Sequence, residues 1–333
     1  MLRVLLGCFE IAVAPALILI TSMWYKRDEQ PKRIGFWYLG TGTATIVGAL
    51  VAYGLLFYTD NEFYSWLIMF LIFGLLTIAV GVTVIFIFPD NPMASTLSHE
   101  EKMMTIKRLR ENRTDPQAYL LTVIVASSST SNAAISSFSA LIIKNFGFKT
   151  KETELLTIPR GLVSVVSILL GTYLAGRVDK RCFCVIGILC CGLLGGCLMA
   201  FAPSDNKGAK LTGSYLTNCV GSALPLMYSI AGANVAGHTK KVTMNAVVLM
   251  SFCLGNILGP LSFRTKDEPE YMPAKTAIVA TVSVAIVFTV ALKGYYMWEN
   301  RRRDSKCQGL QHQENSEFLD LTDKENLGLR YKH

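Results

Sequence analysis

Long apolar blocks dominate this chain, in place of the short period of a soluble helix or strand. A helix that crosses the hydrocarbon core of a bilayer needs about 20 consecutive, mostly apolar residues. Nine such blocks can be read, over residues 2–24, 34–57, 66–88, 119–143, 155–175, 183–201, 212–232, 242–263 and 276–297. In lipid the backbone N–H and C=O groups must be satisfied within the spanning structure, and blocks of this length do so as helices. The expected fold is an all-α membrane protein of about nine spans.

The polar stretches between the blocks set the orientation. Residues 26–33, 102–113, 177–181, 240–241 and 301–306 together hold 18 Lys and Arg, against 8 in the alternate set of loops. The richer set is assigned to the cytoplasm, which also places the C-terminus inside. The longest internal break, 89–117, carries Glu100, Glu101, Lys107, Arg108 and Arg110, a pattern suited to a short surface helix. Beyond Glu299 the chain turns polar and is expected to form a disordered tail whose Arg301-Arg302-Arg303 run anchors the last span.

Composition adds little that the blocks have not said. The chain is 51% hydrophobic and only 17% charged. Its net charge of +8 sits in short clusters beside apolar blocks, which suits an anionic membrane face, and no nucleic-acid partner is expected. The start lacks a basic region and a small-residue cleavage site, so no cleavable leader is expected. Of nine cysteines, only Cys307 falls in the tail and the rest open or lie within apolar blocks, so no disulfide framework is implied. Without further Cys or His at ligand spacing, no metal or other cofactor is expected. No nucleophile motif or phosphate-binding loop appears, and the chain is not expected to be an enzyme.

Ionisable groups at membrane depth are few and expensive, about 2.5–3.5 kcal/mol each at the bilayer centre on insertion scales. Arg3 and Glu10 are seven apart, which puts them on one helix face about 10 Å from each other. They are too distant to pair directly, yet both can line one aqueous path; the plainer alternative is an interhelical salt bridge with Arg3 snorkelling to the interface. Arg160 follows Pro159 near the outer end of the fifth block, where it either attracts a carboxylate or anchors the helix in headgroups. Asn132, Ser136, Tyr228, Asn245 and Asn256 put amides and hydroxyls inside apolar blocks, as substrate contacts or as interhelical bonds worth about 0.6 kcal/mol each. His238 lies in a short basic loop, where a structural or gating role is expected.

Several longer patterns resemble one family. Arg3-Val-Leu-Leu-Gly7-Cys-Phe-Glu10, Pro15, Trp24-Tyr25-Lys26-Arg27 and Gly48 with Gly54 are similar to the fourth and fifth helices of major facilitator superfamily carriers. The closest likeness is to the anion:cation symporter branch and, within it, the fungal allantoate permease-like group. Gly171-x-Tyr173-Leu174-Ala175-Gly176-Arg177-x-Asp179-Lys180-Arg181 resembles the superfamily's loop motif between helices eight and nine, with Gly176 where an acidic residue is usual. Asn234-Val-Ala236-Gly237-His238-Thr239-Lys240-Lys241, Asn245-Ala246 and Gly255-Asn256-Ile257-x-Gly259-Pro260 form the most specific block.

The resemblance implies a twelve-helix carrier of which the nine blocks match helices four to twelve. It divides the chain into a three-span part of an N-terminal bundle (1–89), a cytoplasmic linker (90–117), a six-helix C-terminal bundle (118–298) and a cytoplasmic tail (299–333). It implies alternating-access transport of a small organic anion, a carboxylate or vitamin-like solute, with a proton as co-substrate, by a monomer in the plasma membrane. In that frame Glu10 is the proton-coupling candidate and Arg3, Arg160, Asn132, Ser136, Tyr228 and Asn245 are substrate-contact candidates. Arg177, Asp179, Lys180, Arg181 and His238 form the gating loops. A membrane protein that does not transport, such as a nutrient sensor or a remnant, is the alternative.

Overall fold

The computed structural model describes residues 30–57, 64–87, 116–145, 150–178, 180–203, 206–235, 238–267, 271–307 and 331, with isolated helical positions (5–7, 9, 13, 16–18 and 21) in the first block. The regular structure described is helical throughout. The helices are α1 (Gln30–Leu55), α2 (Ser65–Ile87), α3 (Pro116–Asn145), α4 (Thr150–Val178) and α5 (Arg181–Phe201). They continue with α6 (Lys207–Thr217), a 3₁₀ turn (Asn218–Ser222), α7 (Ala223–Asn234), α8 (His238–Leu261) and α9 (Met272–Cys307). Local chemistry favours these ends. Pro116 opens α3, where its missing N–H costs nothing. Glu152 in the first turn of α4 and Arg177 in its last turn both complement the helix dipole.

Seven helices among the described residues are long and apolar enough to cross a membrane. They account for seven of the nine blocks. The first block lies largely outside the described residues. The seventh, 212–232, is present as helix but interrupted: α6 and α7 are 11 and 12 residues long, so neither reaches spanning length alone, and the 3₁₀ turn joins them.

The bundle is built from close helix pairs: α1 on α4, α3 on α8 and α9, and α5 on α6 and α9. Small residues set the closest crossings. A Cβ on Gly161 of α4 would lie 3.0 Å from the carbonyl of Gly42 on α1. Cβ atoms on Gly255 and Gly259 of α8 would lie 2.6 Å and 2.5 Å from the Ala126 and Thr130 carbonyls of α3. Without a hydrophobic force between helices in lipid, such backbone contact is what holds them together.

The broken helix α6–turn–α7 runs through the middle of this packing, and all twelve residues of α7 are buried. Pro225 explains the break. It has no N–H to give the Gly221 carbonyl, and its ring clashes there in a regular helix. The chain tightens instead. The Asn218 N–H bonds back three residues to Tyr215, and the Ala223 N–H to Val220.

The end of the chain departs from expectation. α9 runs on to Cys307, so residues 299–307, expected in a disordered tail, are helical. Glu299 supports that continuation by pairing with Arg302 at 3.6 Å and Arg303 at 3.3 Å. Tyr331 is only 4% exposed, with its ring stacked on Tyr296 at 5.2 Å. Asn300 gives its Nδ2 to the Tyr331 carbonyl and accepts the Tyr331 N–H at Oδ1, both at 2.9 Å. The rest of the tail lies outside the described residues, as does most of the linker.

Candidate functional site

A buried arginine beside the helix break is the chemical centre of the described structure. Arg160 follows Pro159 within α4 and is 6% exposed. It sits eight residues from the Glu152 end of the candidate span Glu152–Arg177, about 12 Å along the helix axis. Its Nε donates to Asn218 Oδ1 at 3.2 Å, and Asn218 returns a bond from Nδ2 to the Arg160 carbonyl at 3.1 Å. One turn earlier on each helix, the Tyr215 hydroxyl donates to the Leu156 carbonyl at 2.8 Å. These three bonds clip α4 to the broken helix.

The charge of Arg160 is not cancelled. Among the described residues no carboxylate pairs with it, and its Nη1 is buried without a hydrogen-bond partner. A lone cation withdrawn from water costs several kcal/mol unless an anion joins it.

Other polar groups gather around the same turn. Asn132 of α3 brings its Oδ1 to 2.8 Å from where a Cβ on Gly221 would stand, so the side chain packs closely on the turn. The adjacent residue, Ser131, meets Thr281 of α9 at 2.6 Å. Ser136 lies one turn beyond Asn132 along α3 and is exposed. Tyr228 is buried in α7, ten residues and about 15 Å past Asn218. Asn245 is 5% exposed, with both amide atoms unpartnered, but it lies ten residues before Gly255 on α8, about 15 Å from the crossing with α3. The structure therefore sets Arg160 and Asn132 about the turn, with Ser136 one helical turn from Asn132, and leaves Tyr228 and Asn245 farther off. Asn256 is spent within its own helix, donating to the Phe252 carbonyl.

The loop residues divide as well. Arg177 is exposed, and its Nη1 donates to the Tyr173 hydroxyl at 2.8 Å. Lys180 is exposed just before α5 and its side chain makes no capping bond. Arg181 behaves differently: it is 1% exposed and donates from Nη1 to the Ser229 carbonyl of α7 at 2.8 Å. It ties two helices together and is not part of an open loop. His238 is the first residue of α8. Asp179, Arg3 and Glu10 lie outside the described residues.

Sequence reading missed Asn218, the partner of Arg160. Its signal was the run Asn218-Cys-Val-Gly221-Ser-Ala-Leu-Pro225, where a glycine and a proline four residues apart mark a break inside an apolar block. It also missed that Arg181 is buried, since nothing local announces a partner carbonyl 48 residues away.

Comparison with known proteins places this architecture. Residues 1–260 match the Major Facilitator Superfamily. A Schizosaccharomyces pombe transporter is 36% identical over 99% of this chain and 69% of its own length. The Thiamine pathway transporter THI73 and the Allantoate permease, both of Saccharomyces cerevisiae, are 33% and 32% identical, each over 99% of this chain and 66% of its own length. The fold matches the Escherichia coli fucose:proton symporter at a TM-score of 0.62 and 13% identity, covering 86% of this chain and 74% of that one. The resemblance to the fungal allantoate permease-like group is borne out, as is a multi-pass membrane protein. The chain belongs to the Major Facilitator Superfamily of membrane transporters.

Proposed function

We propose that this transporter carries small organic anions, carboxylates or vitamin-like solutes, with protons as the coupled ion, across the plasma membrane. The observation that carries the reading is Arg160, a buried guanidinium with an open Nη1 and no carboxylate partner among the described residues. In this reading a substrate carboxylate supplies the missing charge, beside the 3₁₀ turn that joins α6 and α7. Asn132, at the same turn, is placed to accept from or donate to a polar group of the solute. One relative supports the class by name, being called an allantoate permease. Glu10 is assigned the coupled proton and Arg3 a second anion contact, both by their place in the family motif.

Uptake of labelled allantoate and nicotinate by cells expressing the chain tests this. Uptake should rise as the external pH falls and collapse with a protonophore; indifference to both removes the proton coupling. Arg160→Gln should lower uptake by about thirtyfold or more, as expected when a buried charged contact worth about 2 kcal/mol is lost. Arg160→Lys keeps the charge and should retain part of the activity. Uptake by Arg160→Gln at the wild-type level removes the anion site.

A further inference from the structure

We propose that Asn218 is the positioning residue of the anion site: its neutral amide holds the Arg160 guanidinium in place while leaving the positive charge for the transported anion. The inference rests on Arg160 being the anion's partner. Two bonds of opposite sense fix the pair, Arg160 Nε to Asn218 Oδ1 at 3.2 Å and Asn218 Nδ2 to the Arg160 carbonyl at 3.1 Å. Both side chains are buried. The second bond settles which way the amide points, and so keeps its oxygen on Nε.

The choice of residue is informative. A buried arginine is ordinarily steadied by a carboxylate, which also cancels its charge. Asn218 steadies the same group with an uncharged acceptor. With Nε engaged, Nη1 on the terminal edge is the atom left buried without a partner. An anion can dock there through charge-assisted bonds. The position of Asn218 adds rigidity. It opens the 3₁₀ turn, whose other end is fixed by Gly221 against Asn132 of α3. An amide on a freely sliding helix would not hold Nε at a constant place; one set in this turn does.

The test compares Asn218→Ala and Asn218→Asp with wild type and Arg160→Gln, all as the full chain. Uptake of labelled allantoate and nicotinate is resolved into KM and maximal rate, and folding is checked by gel filtration in detergent. Asn218→Ala keeps the charge but frees the guanidinium, so KM should rise about tenfold with little change in maximal rate. Asn218→Asp is isosteric and still offers Nε an acceptor, although its second oxygen cannot donate to the Arg160 carbonyl, so gel filtration must first show that the clip between the helices survives. The positioning role should not survive, because the new carboxylate takes the charge meant for substrate; uptake should fall as far as in Arg160→Gln. Wild-type KM in Asn218→Asp overturns the proposal, and if that variant misfolds, wild-type KM in Asn218→Ala overturns it alone. Wild-type uptake by Arg160→Gln, or no uptake of either anion by the wild type, instead overturns the reading of the site on which the proposal rests.

Discussion

α2 and the broken helix α6–turn–α7 both come from apolar blocks of similar length, yet among the described residues one lies at the edge of the bundle and the other in its middle. No residue in the spanning stretch of α2, Trp66–Val84, is buried in the bundle, whereas every residue of α7 is. The polar groups of α2 turn inward on their own helix: Thr77 and Thr83 donate to the Phe73 and Ala79 carbonyls, each at 2.8 Å. In the broken helix Thr212, Thr217 and Ser222 likewise bond to carbonyls of their own helix, but Tyr215 and Asn218 also reach across to α4. A helix against lipid must hide its polarity, since nothing outside can satisfy it. A helix among helices can spend its polarity on partners, and there a break and a charge become tolerable. Average hydropathy therefore says that a block spans, while the direction of its hydrogen bonds says whether it takes part in the chemistry.

Matched substitutions should separate the two regions. The largest contrast is expected from leucine at glycine. A Cβ on Gly195 of α5 would stand 2.5 Å from the backbone nitrogen of Thr217, while Gly81 of α2 has nothing within 4 Å. Gly195→Leu should cost at least about 3 kcal/mol, because backbone cannot step aside. Gly81→Leu should stay within about 0.5 kcal/mol. Melting temperatures in detergent check both, and equal losses would mean that the α5–α6 crossing is not as close as described.

A smaller contrast is expected for hydroxyl deletion. Tyr215→Phe removes a bond between helices and should lower stability by about 0.6–1 kcal/mol. Thr77→Val replaces a hydroxyl bonded only to its own helix and should leave the melting temperature unchanged. The same thermal melts decide it; equal shifts would remove the distinction between inward and cross-helix polarity. The smallest effect concerns Gly176, where the side chain of Lys32 from α1 would lie 3.0 Å from an added Cβ. Gly176→Asp places a carboxylate by that ammonium and should stabilise by no more than about 1 kcal/mol. High salt should erase the gain, and a gain that survives salt would mean it is not an ion pair.

Much of the fold was legible because bilayer thickness forces long apolar runs and leaves charge only in the gaps. The seven uninterrupted spans follow from that rule alone. The broken helix was read as a plain span because its composition is continuous; only the Gly221 and Pro225 spacing betrays the turn, and a proline within a span does not by itself break the helix, as Pro159 of α4 shows. Arg160 was identifiable as costly, since any charge in an apolar block is. Its partner was not, because Asn218 is 58 residues away and one of several polar residues in apolar blocks. Arg181 illustrates the reverse error. It reads as one more loop cation, yet it reaches into α7 because the adjoining Ser229 carbonyl accepts it. The helical continuation of α9 was hidden by its charge, since Glu299 with Arg302 and Arg303 forms pairs at helical spacing that also suit a solvated tail.

The central claim is that Arg160 completes its charge with the transported anion. The most direct measurement is the thermal stabilisation of the purified protein by nicotinate and by nicotinamide, which share a ring and differ in charge. Nicotinate should raise the melting temperature of the wild type and leave Arg160→Gln unmoved, while nicotinamide should shift neither. Equal stabilisation of Arg160→Gln and wild type by nicotinate, or no stabilisation of the wild type, would contradict the account.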